Sequence, residues 1–181
     1  MSIAKQFLSN SLKEFQGIKK LGDRSIDQLD NEELHWHPTS ESNSISIIVK
    51  HLSGNMISRF TDFLTTDGEK PWRNRDVEFE GNYKSKDDLL TDWNKGWNVV
   101  FNTIESLKEE DVLKTVKIRG EEHTVLQAIH RQISHYGYHI GQIVYISKQI
   151  KNEKFTSLSI PKGKSQQFLE IKLNEANKST T

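Results

Sequence analysis

His135-Tyr136-Gly137-Tyr138-His139-Ile140-Gly141-Gln142 lies late in a long segment whose apolar residues recur at helical spacing. At about 100° per residue, His135 and His139 fall roughly 40° apart around one helix and one turn apart along it, so both imidazoles can reach a single ion. Neutral imidazole is the commonest metal ligand. Tyr136 stands where the zinc-protease motif H-E-x-x-H has its glutamate, so peptide hydrolysis of that kind does not transfer. Around the same helix, Ile129, Ile133, Tyr136, Ile140 and Val144 form an apolar stripe centred roughly 130° from His135. The segment opens at Thr124, with Gln127 completing a capping box, and runs to about Ile150.

Three more segments share this periodicity. The first runs from about Ile3 to Leu21, with Gly22 and Asp23 weakening its end. The second runs from about Ser44 to Leu64, and the third starts at the S-x-x-D cap Ser85 to Asp88 and continues to Leu107. Four long amphipathic helices predict an all-α fold, a four-helix bundle. Before the last helix, Lys114 to Ile118 alternates with period two and meets Arg119-Gly120, which predicts a short extended piece or hairpin. The connection from Thr65 to Lys84 is long for a bundle and carries Gly68, Pro71 and Trp72, as an ordered, functional loop would. We expect one domain over residues 1–181, with a core of about 1–150 and an extension of 151–181. In that extension Leu158 to Gly163 reads as an extended strap, and Asn177 to Thr181 as a frayed end.

Two histidines hold a metal weakly, so a third ligand is needed, and His51 on the second helix is the best candidate. Asn55, Ser58 and Asp62 lie within roughly 40° of it, while the apolar stripe of that helix is centred about 120° away. Both helices thus carry a histidine line at a similar offset from the core stripe, as expected if both face one mouth between helices. A three-histidine site leaves positions for water or substrate. Zinc is placed first for such a nitrogen set, with nickel, iron and manganese as alternatives. Gln142 and Asn55, each about one turn from a ligand histidine, are candidates to orient those rings. The competing reading is three ordinary histidines hydrogen-bonded inside a helical domain.

The bulk composition narrows the function classes. The 25 basic and 25 acidic side chains cancel, so the broad positive field typical of nucleic-acid binding is missing. Cys is absent, which removes a disulfide framework and a Cys nucleophile and fits a reducing cytoplasm. No apolar run reaches the roughly 18 residues a membrane span needs, so no membrane partner is expected. An open site also needs side chains that could hold a small-molecule substrate. For holding it, Arg73 beside Trp72 offers a planar donor and an aromatic wall, and Arg59 and Arg131 are further candidates because Arg131 lies one turn before His135. Against this, Arg73 and Arg75 could simply pair with Asp67, Glu69, Asp76 and Glu78 in a solvated loop.

The residues resemble the DinB-like, or YfiT-like, superfamily of bacterial helical-bundle proteins. The match rests on Ile47-Ile48-Val49-Lys50-His51-Leu52 and on His135-x-x-x-His139-x-Gly141-Gln142-Ile143, with the order of elements agreeing over residues 1–150. The resemblance implies a divalent metal on His51, His135 and His139 and a homodimer. Characterised members include S-transferases that use a low-molecular-weight thiol as cosubstrate, and others are described as metal-dependent hydrolases. A thiol-dependent S-transferase acting on small electrophiles is therefore the expected activity. The alternatives are a metal-dependent hydrolase and a non-catalytic metal-binding or stress-response module.

Overall fold

The computed structural model describes residues 1–178 and is mostly helical, with one two-stranded sheet. Its elements are α1 (Ile3–Ile26), α2 (Ile45–Phe60), α3 (Lys86–Ser106), β1 (Thr115–Ile118), β2 (Glu121–Thr124), α4 (Val125–Lys151) and α5 (Ser165–Lys178). Each of the first four helices is started by a hydroxyl that satisfies an otherwise orphaned N–H: Ser2 for Lys5, Ser44 for Ile47, Ser85 for Asp88 and Thr124 for Gln127. At α4 the Gln127 side chain returns a bond to the Thr124 N–H, closing the capping box.

α1 packs on α3 and α4, and α2 packs on the same two helices. Their apolar faces meet in an aromatic centre where Phe15 lies 5.8 Å from Tyr136, 6.1 Å from Phe60 and 6.3 Å from Trp97, ring centroid to ring centroid. Four helices thus share one core, with Trp93, Trp97 and Tyr136 fully buried.

Two helix boundaries differ from the sequence reading. α1 continues past Gly22 to Ile26, because Gly22 is where α1 lies against α3. A Cβ there would fall 2.7 Å from the Trp93 ring, which the adjacent Asp23 holds by accepting from its indole N–H at 2.7 Å. The glycine therefore serves close approach and does not end the helix. α2 ends at Phe60, four residues early, as Thr61 turns to extended backbone and Asp62 takes φ 48°, a left-handed conformation. Its side chain thereby leaves the polar line of α2.

The extended piece before α4 is an antiparallel hairpin in which Val116 pairs with His123 and Ile118 with Glu121. Arg119 and Gly120 form its two-residue turn at φ 56° and 79°, the pattern of a type I′ turn. Asp67 accepts from both turn N–H groups, at 2.8 and 2.7 Å, and the Gly68 N–H donates to Lys117 O at 2.8 Å. These bonds anchor the long loop between α2 and α3 on the hairpin.

The C-terminal strap is shorter than expected. It also lies earlier, with residues 156–158 running past the end of α1. There Arg24 donates to the Ser157 and Leu158 carbonyls and Gln28, just beyond that helix, bonds Thr156, so Leu158 alone of the expected Leu158 to Gly163 takes part. The chain then forms α5, which buries no residue. Asn177 and Lys178 are helical where a frayed end was expected; the rest of that end, Ser179 to Thr181, lies outside the described residues. Among the described residues, no helix is long and apolar enough to cross a membrane.

Candidate functional site

The polar line of α2 is buried. His51, Asn55 and Ser58 are all covered although they lie off the apolar stripe: Glu78 and Gly68 of the α2–α3 loop reach His51 and Ser58, and Tyr136 of α4 reaches Asn55. Ser58 donates to Gly68 O at 2.7 Å, and the Arg59 guanidinium donates to the same carbonyl and, at 3.0 Å, to Glu69. Burial lowers the Arg59 pKa from its ordinary value, and Glu69 only partly offsets this.

Beneath the loop, His51 from α2 meets His135 and His139 from α4. One nitrogen from each ring can be chosen so that all three lie within 4.8 Å of one another. The ring centroids are 5.0 Å (His51–His139), 5.5 Å (His51–His135) and 4.8 Å (His135–His139) apart. His51 is only 4% exposed, whereas the other two are partly buried and open to a cavity of about 660 Å³. Burial, followed by the neighbouring histidines and the charges of Arg131 and Arg59, pushes the His135 pKa down to about 3. His139 is shifted the same way by burial and by His51, against the opposing hydrogen bond from Gln142. Both rings are therefore neutral at pH 7, the state a metal ligand requires.

The rings are held from behind. His51 Nδ1 lies 2.9 Å from Glu78 Oε2, and an ionised carboxylate accepts only, so Nδ1 carries the proton and the Nε2 lone pair faces inward. That Nε2 sits 3.4 Å from Nε2 of His135. Burial raises the Glu78 pKa, but the bonds from His51 and Arg73 outweigh it and hold the group below its ordinary value. Arg73 grips this carboxylate as a fork, Nε to Oε1 at 2.7 Å and Nη2 to Oε2 at 2.9 Å. On α4, His139 Nδ1 donates to Gln142 Oε1 at 2.8 Å, and Gln142 in turn donates to the Tyr138 hydroxyl at 3.1 Å. The donor set fits a divalent ion: three imidazoles converge, two with their outer nitrogens already bonded to oxygen.

The structure thus brings His51, His135 and His139 together, with Gln142 behind one of them. Asn55 lines the cavity, but its Oδ1 accepts from the buried Tyr136 hydroxyl at 3.1 Å; Glu78, not Asn55, orients His51. Arg59, Arg73 and Arg131 also line the cavity, while Trp72, 58% exposed, lies outside it. Arg73 does pair with Glu78 and Glu69, as the competing reading had it, but its side chain is 2% exposed and not solvated, whereas Arg75 is exposed. Sequence reasoning named Glu78 only as a partner for the loop arginines and missed its bond to His51; the residue comes from a turn at Asp76–Phe79. The available signal was Gly54, a poor helix former three residues beyond His51: a Cβ there would lie 2.3 Å from Glu78 Oε1.

A family model described as a protein of unknown function, DUF1572, matches residues 2–164. The chain belongs to the DUF1572 family. The matched span contains α1 to α4, the hairpin and the whole histidine site; α5 follows it. Comparison with curated proteins finds no match. The reading of this DUF1572 site therefore rests on its geometry.

Proposed function

We propose that this DUF1572 protein has the four-helix bundle of the DinB-like superfamily and is a metal-dependent enzyme. In this reading His51, His135 and His139 hold a divalent ion, and the reaction is transfer of a low-molecular-weight thiol to a small electrophile. One observation carries the reading: imidazoles from two helices converge on a cavity while Glu78 and Gln142 fix two of them from behind. Zinc is the first candidate, with nickel, iron and manganese suited to the same nitrogen donors. Such an ion, when bound, supplies a Lewis acid that lowers the pKa of a thiol or water beside it.

The chain's own groups prepare the site. Glu78 sets the His51 tautomer, Arg73 fixes Glu78, and α4 places His135 and His139 one turn apart. Among the described residues, no Asp or Glu lines the cavity. Free water has a pKa of about 15.7 and a free thiol one of about 8.5. Without a carboxylate base, a thiol beside a bound ion therefore has less far to be brought, its proton passing to solvent, so this lining favours an incoming thiol. It equally suits the second reading, a non-catalytic metal-binding module. A homodimer in a reducing cytoplasm completes the proposal, with the oligomeric state open to light scattering.

The test is metal content by plasma mass spectrometry for wild type, His51→Ala and His135→Ala. Near-stoichiometric metal that is lost in both variants, whose helical circular dichroism is unchanged, supports a shared site. Metal retained in either variant overturns it. Thiol transfer to an electrophile, abolished by chelator and restored by metal, then separates the enzyme from the passive module.

A further inference from the structure

The histidine cavity is strongly cationic although the chain as a whole is neutral. Among the described residues, five arginines line it, Arg59, Arg73, Arg75, Arg119 and Arg131, and no carboxylate does. Three of these have structural work. Arg59 and Arg119 share Glu69, at 3.0 and 2.8 Å, and Arg73 grips Glu78. The carboxylates lie behind the arginines, on the side of the loop, so they hold the guanidinium groups without filling the cavity.

The other two have no such partner. The Arg75 guanidinium lies over the Phe79 ring, 5.3 Å from its centroid, and that ring in turn lies 4.9 Å from the His51 ring. Arg131 is exposed on α4 one turn before His135, and among the described residues no carboxylate pairs with either. Deeper in, Arg73 Nη1 is buried with no hydrogen-bond acceptor, its nearest carboxylate oxygen being Glu69 Oε1 at 3.6 Å. A buried guanidinium donor without an acceptor is costly unless something supplies one. Unpaired planar donors around a concave site match oxyanions, to which guanidinium groups bond in forked geometry.

We propose that the cavity binds a small molecule through an oxyanion, carboxylate or phosphate, clamped between Arg75 and Arg131 at the mouth beside the histidines. The proposal deepens the metal-enzyme reading by naming its substrate class, and it rests on that reading for the claim that the anion is a substrate. The volume of about 660 Å³ suits a metabolite-sized ligand. A polymer is disfavoured because the positive charge is confined to a concavity.

The experiment is isothermal titration calorimetry of the full chain, with and without bound metal, against inorganic phosphate and, separately, succinate. Saturable one-site binding of at least one anion is expected, and the arm that binds identifies the oxyanion. Because Arg75 and Arg131 pair with no carboxylate, Arg75→Ala and Arg131→Ala should melt like wild type yet weaken binding about tenfold or more each. Absence of saturable binding to both anions, or binding indifferent to both substitutions, overturns the proposal even if the protein is full of metal. Arginine-dependent binding in a protein that retains no metal in any preparation upholds the anion site and overturns the metal reading instead.

Discussion

Gly54→Ala should improve the helix and damage the site. In a helix interior the change gains about 1 kcal/mol from backbone entropy. Here the new Cβ would lie 2.3 Å from Glu78 Oε1 and 2.8 Å from its Cδ, where ordinary contact begins near 3.4 Å. The carboxylate would have to retreat by about 1.1 Å, from 2.3 to 3.4 Å. A free side chain would do this cheaply, but this one is held by two bonds from Arg73 and one from His51. His51 lies on the same helix as Gly54 and cannot follow the retreat, so its bond is the one lost. Losing the partner that orients a metal-binding imidazole costs about 10- to 100-fold in metal affinity. In the metal-free chain the lost charged hydrogen bond, about 1.5–3 kcal/mol, exceeds the helix gain, leaving net destabilisation of about 0.5–2 kcal/mol.

The assay is zinc competition against a chromophoric chelator, together with urea unfolding of the metal-free protein. The decisive comparison repeats Gly54→Ala in an Arg73→Met, Glu78→Ala background. This background removes both buried charges and so leaves neither one unpaired. There the alanine has nothing to displace, and it should stabilise by about 1 kcal/mol with no further loss of zinc affinity. A reversal of sign between backgrounds is the signature. Full zinc affinity for Gly54→Ala in the otherwise native chain, or the same effect in both backgrounds, would refute the chain of reasoning from Gly54 through Glu78 to His51.

Three further outcomes are expected. Metal-free protein should lose stability as pH falls from about 6.5, the ordinary histidine value, towards the pKa of about 3 at His135. In that window the unfolded chain binds a proton that the fold refuses, and the depressed Glu78 acts in the same direction below its ordinary value; equal urea midpoints at pH 7 and pH 5 would contradict this. Adding zinc at about 100 times its dissociation constant should stabilise wild type by about 2.7 kcal/mol, read as a raised Tm, and His135→Ala should show no rise. Gly22→Ala should lower the urea midpoint despite better helix propensity, because the added Cβ meets the Trp93 ring at 2.7 Å and overpacking costs about 1–3 kcal/mol; an unchanged or higher midpoint would show that Trp93 yields freely.

What could be read in advance followed local periodicity. The caps at Ser85 and Thr124, the four helices and the hairpin turn at Arg119-Gly120 are each decided by neighbours a few residues away, and so is the common face of His135 and His139. The place of His51 opposite them was legible because each helix carries its histidine at a similar offset from its own core stripe. Loop direction was not legible. Glu78 reaches His51 across 27 positions, through a segment whose path is set by Asp67 on the hairpin turn and by Ser58 and Arg59 on the Gly68 carbonyl. None of those bonds has a sequence period. The same gap explains the misplaced Trp72 and the role given to Asn55. Spacing on α2 does put Asn55 one turn from His51, but Tyr136, from the core of α4, takes its oxygen. Yet Gly22, expected to weaken the end of α1, marks a long-range contact with Trp93, and Gly54, not singled out in the sequence, marks one with Glu78. Position inside a capped amphipathic helix does not by itself mark such a contact, since a Cβ at Gly17, Gly137 or Gly141 would meet nothing within 4 Å, whereas one at Gly54 does. On the polar side of α2, the thing pressed against it is the carboxylate that aims His51.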